Sequence, residues 1–137
     1  MSSTKERTVI KTDGSYLEYL GEMAGGWAIE VHTEQGVIRR TGKVKNPVSS
    51  RHCELYAIYE ACKFIKKEGC AAVIQSDCKE VINTFKGIKG VAFCEDLWCK
   101  IRDLNVRNLK DIMYIARENN EGADHASRIA ARSLIAR

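Results

Sequence analysis

Apolar and polar residues alternate through "TVIKTDGSY" (8–16), "GGWAIEVHT" (25–33) and "GVIRRTGKV" (36–44). That period of two predicts three half-buried strands. "EQG" supplies a short turn between the second and third, so the three are expected to be antiparallel neighbours joined as hairpins. After Pro47 the period lengthens to that of a helix. "SSRHCELYAIYEACKFIKKEG" (49–69) opens on serines suited to an N-cap and closes on Gly69, suited to a C-cap. "AAVIQSD" (71–77) is a short apolar run ending in an acid, the pattern of a buried strand. "KEVINTFKG" (79–87) and "CEDLWCKIRDLNV" (94–106) predict two helices separated by the glycine-containing "GIKGVA". "DIMYIARE" (111–118) predicts a last strand and "GADHASRIAARSLIAR" (122–137) a last helix. The order β-β-β-α-β-α-α-β-α alternates in its second half, which implies crossover connections. An α/β fold follows, with one mixed sheet of five strands flanked by helices.

With 137 residues, 45% hydrophobic and 29% charged, the chain reads as a single globular domain over 1–137. No run approaches the ~20 apolar residues of a membrane span. "MSSTKERT" lacks the apolar segment of a secretory signal. An intracellular protein, monomeric and without membrane contact, is expected. The six cysteines form no Cys-x-x-Cys and no zinc-finger spacing with histidine, and several lie within apolar runs. Buried, reduced thiols are expected. The net charge of +4 is unevenly spread. Residues 36–53 contain no acid but carry Arg39, Arg40, Lys43, Lys45 and Arg51, and 79–110 hold a second basic surplus. Such asymmetry suits a polyanion and equally suits a solvated basic face.

Four acids stand where acids are unusual. Asp13 and Asp77 each follow an apolar strand, where open α/β sheets place their ligands. Each also has a simpler reading as a turn or capping acid. On a helix advancing ~100° per residue, Glu54 lies near the edge of the apolar arc formed by Leu55, Ile58, Ala61, Cys62 and Ile65. It stands four residues after Ser50, one too many for a capping box. Asp124 falls in the first turn of the last helix, before the small-residue face of Ala126, Ile129, Ala130 and Leu134. The helix dipole favours an acid there by about 0.3–1 kcal/mol. Neighbouring His125 points roughly 100° away and reads as a surface residue. Four converging carboxylates would raise one another's pKa, and divalent cations relieve that conflict. Oxygen-only ligation suits magnesium or manganese.

The motifs "TDGS" (Asp13), "CELYAIYEA" (Glu54), "QSD" (Asp77) and "ENNEGADHASRIA" (Asp124), in this order and on these elements, resemble type-1 ribonuclease H over nearly the whole chain. "GGWAIEV" is similar to the family's second strand, and "ARENNEGAD" to its compact, plant-like or archaeal-like branch. The resemblance implies a ribonuclease H-like fold and an endonuclease that cuts the RNA strand of an RNA–DNA hybrid. It implies two Mg2+ or Mn2+ ions per site, and products with 5′-phosphate and 3′-hydroxyl ends. Asp13, Glu54, Asp77 and Asp124 would be both the catalytic residues and the metal ligands, with Asp13 bridging the two ions. Gly14 and Ser15 would approach the minor groove, where the 2′-hydroxyl marks RNA. Ser49, Ser50, Arg51 and Asn120 match further substrate-contacting positions.

Three departures from the family accompany these matches. No histidine lies between His52 and His125, where many members place one in the loop before the last aspartate, and Arg117 is the nearest substitute. "GIKGVAFCEDLW" leaves no room for the basic protrusion that some members use to grip substrate. Lys79 stands where some relatives have a glutamine. Two alternatives keep the fold. One is a related nuclease acting on another nucleic acid, and the other a non-catalytic hybrid-binding module derived from a reverse transcriptase.

Overall fold

The computed structural model describes residues 8–87 and 94–133. Its strands are β1 (Thr8–Tyr19), β2 (Glu22–Thr33), β3 (Gly36–Val44), β4 (Ala72–Ser76) and β5 (Leu109–Tyr114). The helices are α1 (Ser50–Glu68), α2 (Lys79–Phe85), α3 (Glu95–Leu104) and α4 (Glu121–Arg132), and a 3-10 turn at Arg117–Asn119 precedes α4. The order along the chain is the one expected. Most of the "GIKGVA" spacer and residues 134–137 of the last predicted helix lie outside the described residues.

The strands form one sheet in the order β3-β2-β1-β4-β5. β1–β2 and β2–β3 are antiparallel, whereas β1–β4 and β4–β5 are parallel. Leu20 and Gly21, at φ 52° and 83°, form the tight β1–β2 turn. Two positive φ values in a row match the twist of a two-residue hairpin.

β1 is longer than its apolar run suggests. Asp13 lies mid-strand opposite Ala28, not at a strand tip. What ends there is the parallel ladder to β4, whose last pair is Thr12 with Ser76. Asp13 and Asp77 therefore both stand just past the end of that ladder. β5 stops at Tyr114, before the predicted Glu118, because β4 offers no partner beyond Ser76. The last bond there runs from the Ile115 amide to the Ser76 carbonyl, 2.9 Å.

α1 covers one face of the sheet. Ile10, Ile29, Val31 and Ile74 pack there with Leu55, Ile58 and Ile65. Of the two serines expected at the N-cap the helix uses Ser49, not the Ser50 from which the capping box is counted: Ser49 Oγ accepts the His52 amide at 3.1 Å, and Gly69 closes the helix at φ 69°. All six cysteines are free. Burial pushes the Cys53 and Cys62 thiols up to about 12, so both act as small apolar groups.

α4 covers the other face, but with a different stripe from the one expected. Ala123, Ala126, Ser127 and Ala131 are buried, while Ile129 is 51% exposed. The reason lies in the strand beneath. Gly26 and Ala28 present almost no side chain, so the α4 backbone comes down onto the sheet and only small residues fit between. A Cβ on Gly26 would overlap the Ser127 carbonyl and the Ala131 amide. On the opposite face, a Cβ on Gly14 would overlap the Cys53 carbonyl and the Glu54 amide of α1. Gly26 pairs with Ser15, the neighbour of Gly14. At this point the sheet is pinched between two helix backbones, with Asp13 beside the pinch.

Candidate active site

Four elements deliver the predicted acids. Asp13 comes from the middle of β1 and is buried; Glu54 comes from the second turn of α1; Asp77 directly follows β4; Asp124 lies in the first turn of α4. Single ligand atoms of Asp13, Glu54 and Asp77 all lie within 4.8 Å of one another. Asp124 stands outside that triad, tied by an ion pair to Arg128 at 3.2 Å. It is still near enough for its charge to act on Asp13, Glu54 and Asp77.

The acids perturb one another as buried like charges must. Asp13 is pushed up to about 7, first by burial and then by the charges of Asp77 and Asp124, against a hydrogen bond from Ser127. Glu54 is raised well above the usual carboxylate range, by burial first and then by Asp13 and Asp77. The Gly14 amide opposes that rise, donating to Glu54 Oε1 at 3.2 Å. Asp77 is raised mainly by burial, and the Asn120 amide and Arg117 guanidinium hold it back. Arg117 therefore acts on the site through Asp77, while its side chain faces solvent.

Asn120 is 1% exposed and turns inward. Its Nδ2 donates to the Thr12 carbonyl at 2.9 Å and to Asp77 Oδ2 at 3.4 Å, while Oδ1 is buried without a partner. The other predicted substrate residues divide into two groups. Ser50 is exposed at the start of α1, and Arg51 reaches Glu80 at 2.8 Å. Ser49 is occupied as the helix cap. Gly14 is buried, and the close approach it permits is to α1 of its own chain. Ser15 bonds Ser127 at 2.8 Å.

Ser127 was not singled out from the sequence. It is fully buried and donates to Asp13 Oδ2 at 2.6 Å. Its spacing from Ala123 and Ala126 places it on their face of a helix, the one available signal.

The acid-free basic run is not one surface. Arg39 pairs with Glu30 on the α4 face, whereas Arg40 lies over the Phe64 ring of α1, 5.3 Å from its centroid. Adjacent residues on a strand point to opposite sides.

Three carboxylates at neighbouring strand and helix positions, with no thiolate or imidazole among them, form an oxygen-only donor set for a hard divalent cation. The buried, unpartnered Asn120 Oδ1 beside Asp77 adds an acceptor that a cation or its water would satisfy. The residues present fit such an ion.

A family model described as RNase H matches residues 5–126. No curated protein matches the chain in sequence. Among solved structures, the N-terminal RNase H domain of Rv2228c from Mycobacterium tuberculosis, determined as a maltose-binding-protein fusion, superimposes with TM-score 0.77. It is 18% identical, over 93% of this chain and 95% of that one. LC11-RNase H1, from a compost metagenome and in complex with an RNA/DNA hybrid, gives TM-score 0.79 at 16% identity, over 94% and 99%. RNase H1 of Halobacterium salinarum NRC-1 gives 0.74 at 17%, over 93% and 98%. The shared architecture is the ribonuclease H-like fold, a mixed five-stranded sheet with helices on both faces. With a family match spanning residues 5–126, the chain belongs to the RNase H family, whose members are metal-dependent nucleases.

Proposed function

We propose that the protein is an endonuclease that cuts the RNA strand of RNA–DNA hybrids, leaving 5′-phosphate and 3′-hydroxyl ends. The convergence of Asp13, Glu54 and Asp77 carries this reading, with Asp124 beside them. These four hold two Mg2+ or Mn2+ ions. When bound, such a pair supplies water activation and charge neutralisation for an in-line displacement at phosphorus. The chain's own residues prepare the site. Asn120 fixes Asp77, the Gly14 amide orients Glu54, and Ser127 holds Asp13. Arg117 brings a positive charge to the Asp77 side, where many relatives use a histidine. Ser50 and Arg51, at the solvent-facing start of α1, meet the substrate backbone.

A labelled hybrid, double-stranded RNA and duplex DNA, each with chelator, Mg2+ or Mn2+, test this. Cleavage of the hybrid alone, abolished by chelator and restored by either ion, is the expected result. Cleavage of duplex DNA instead would point to the related-nuclease alternative, and a metal-independent rate would refute the mechanism. Arg51→Ala is expected to weaken hybrid binding and to flatten its log-affinity against log-salt slope by about 1, as for one lost phosphate contact. An unaltered slope would remove Arg51 from the interface.

A further inference from the structure

We infer that Ser127 is a positioning residue that orients Asp13 for divalent-cation binding, through a hydroxyl relay beginning at Ser15; this rests on the metal-dependent reading above. Ser127 Oγ lies 2.6 Å from Asp13 Oδ2, 2.8 Å from Ser15 Oγ and 3.0 Å from the Asp124 carbonyl. A hydroxyl has one hydrogen to give, and an ionised carboxylate can only accept. The shorter, charge-assisted bond takes that hydrogen, so Ser127 donates to Asp13 in preference to the neutral carbonyl of its own helix. Ser15 in turn donates to Ser127. With the Asp13 carboxylate ionised, as a cation ligand must be, both hydrogens point toward Asp13.

This arrangement has little freedom to change. Ser127 is fully buried, and its backbone is pressed against Gly26. The relay engages Oδ2 from the α4 side and leaves the remaining lone pairs of Asp13 for a cation. An aspartate without such a support samples several χ1 wells. The groups that hold metal ligands in place are worth roughly 10–100-fold in metal affinity or activity. Ser15 thereby acts through Ser127 on Asp13.

Calorimetric titration of the full chain with Mn2+, without substrate, tests the relay alongside hybrid-cleavage kinetics. Ser127→Ala is expected to bind Mn2+ about 10-fold more weakly and to lower kcat, with KM for the hybrid unchanged. Alanine is small and favours the helix, so the fold is kept. Ser15→Ala is expected to produce a smaller loss in the same direction, and the double variant to lose no more than Ser127→Ala alone. Should Ser127→Ala fail to fold, Ser15→Ala carries the titration by itself. Wild-type Mn2+ affinity in Ser127→Ala would overturn the inference while leaving the metal-dependent reading intact. A raised KM with wild-type Mn2+ affinity in Ser15→Ala would also overturn the relay, by making Ser15 a substrate contact with no effect on Asp13. A wild-type protein that takes up no Mn2+ would overturn the metal-dependent reading and the inference with it.

Discussion

Asp13→Asn is expected to raise the melting temperature of the metal-free protein above pH 7 while abolishing cleavage of the hybrid. Folding lifts Asp13 from 3.8 to about 7, chiefly by burying it. Between those values the folded state keeps a proton that the unfolded chain has already released. Stability therefore falls as pH rises from about 4 to about 7, and is flat above. At roughly 1.4 kcal/mol per pKa unit, the burden on the metal-free protein at pH 8 is on the order of 4 kcal/mol. Asparagine preserves the shape and removes the charge. A domain of this size gains roughly 3–5 °C per kcal/mol. Thermal melts in chelator at pH 8 and pH 4.5 check this: the gain should be large at the first and mostly lost at the second. An equal destabilisation at both values would show that Asp13 is not a buried charge. Added Mn2+ should stabilise the wild type and not the variant, because the ion takes over the neutralising role of the proton.

Gly14→Ala is expected to cost about 3 kcal/mol and to remove activity even under conditions where the variant stays folded. The new methyl would meet the Cys53 carbonyl and the Glu54 amide, both backbone groups of α1 that no rotamer change can move aside. Overpacking of this kind costs ~1–3 kcal/mol, and the absence of any yielding side chain places this case at the top of that range. Relief requires α1 to move away from β1, and α1 carries Glu54. Urea denaturation gives the stability, and hybrid cleavage below the unfolding midpoint gives the activity. Gly21→Ala is a useful contrast. Its site has open space but φ 83°, so only about 1 kcal/mol is expected and activity should persist. A Gly14→Ala enzyme as stable and active as wild type would show that α1 and β1 are not in fixed contact there.

The order of elements, and the acids Asp13, Glu54 and Asp77 that the fold gathers, were readable because each rested on local chemistry. Caps at Ser49 and Gly69, the alternation in the first strands and an acid inside an apolar helical arc are properties of neighbouring residues. The misreadings involve partners far along the chain. Asp13 was placed at a strand tip because its apolar run ends there, yet pairing with β2 carries β1 on to Tyr19. The expected small-residue face of α4 includes Ile129 and Ala130, one helical step away from the face that is buried. The sheet beneath selects for size, and so admits Ser127. A polar residue on a buried face is invisible to a hydrophobic pattern unless its partner is known, and that partner is Asp13. The acid-free basic run reads along the sequence as one positive stretch, although the alternation that predicts β3 already sends Arg39 and Arg40 to opposite faces.

The bonds that build the site join residues far apart in sequence: 40 positions separate Gly14 from Glu54, 108 separate Thr12 from Asn120, and 114 separate Asp13 from Ser127. Contacts of such long range are slow to form, because loop closure must come before them. A fragment ending just after β4 would carry Asp13, Glu54 and Asp77 but lack Asn120, Asp124 and Ser127. Because α4 is the last described element and supplies Ser127 and Asp124, regained catalysis reports that the final piece has docked.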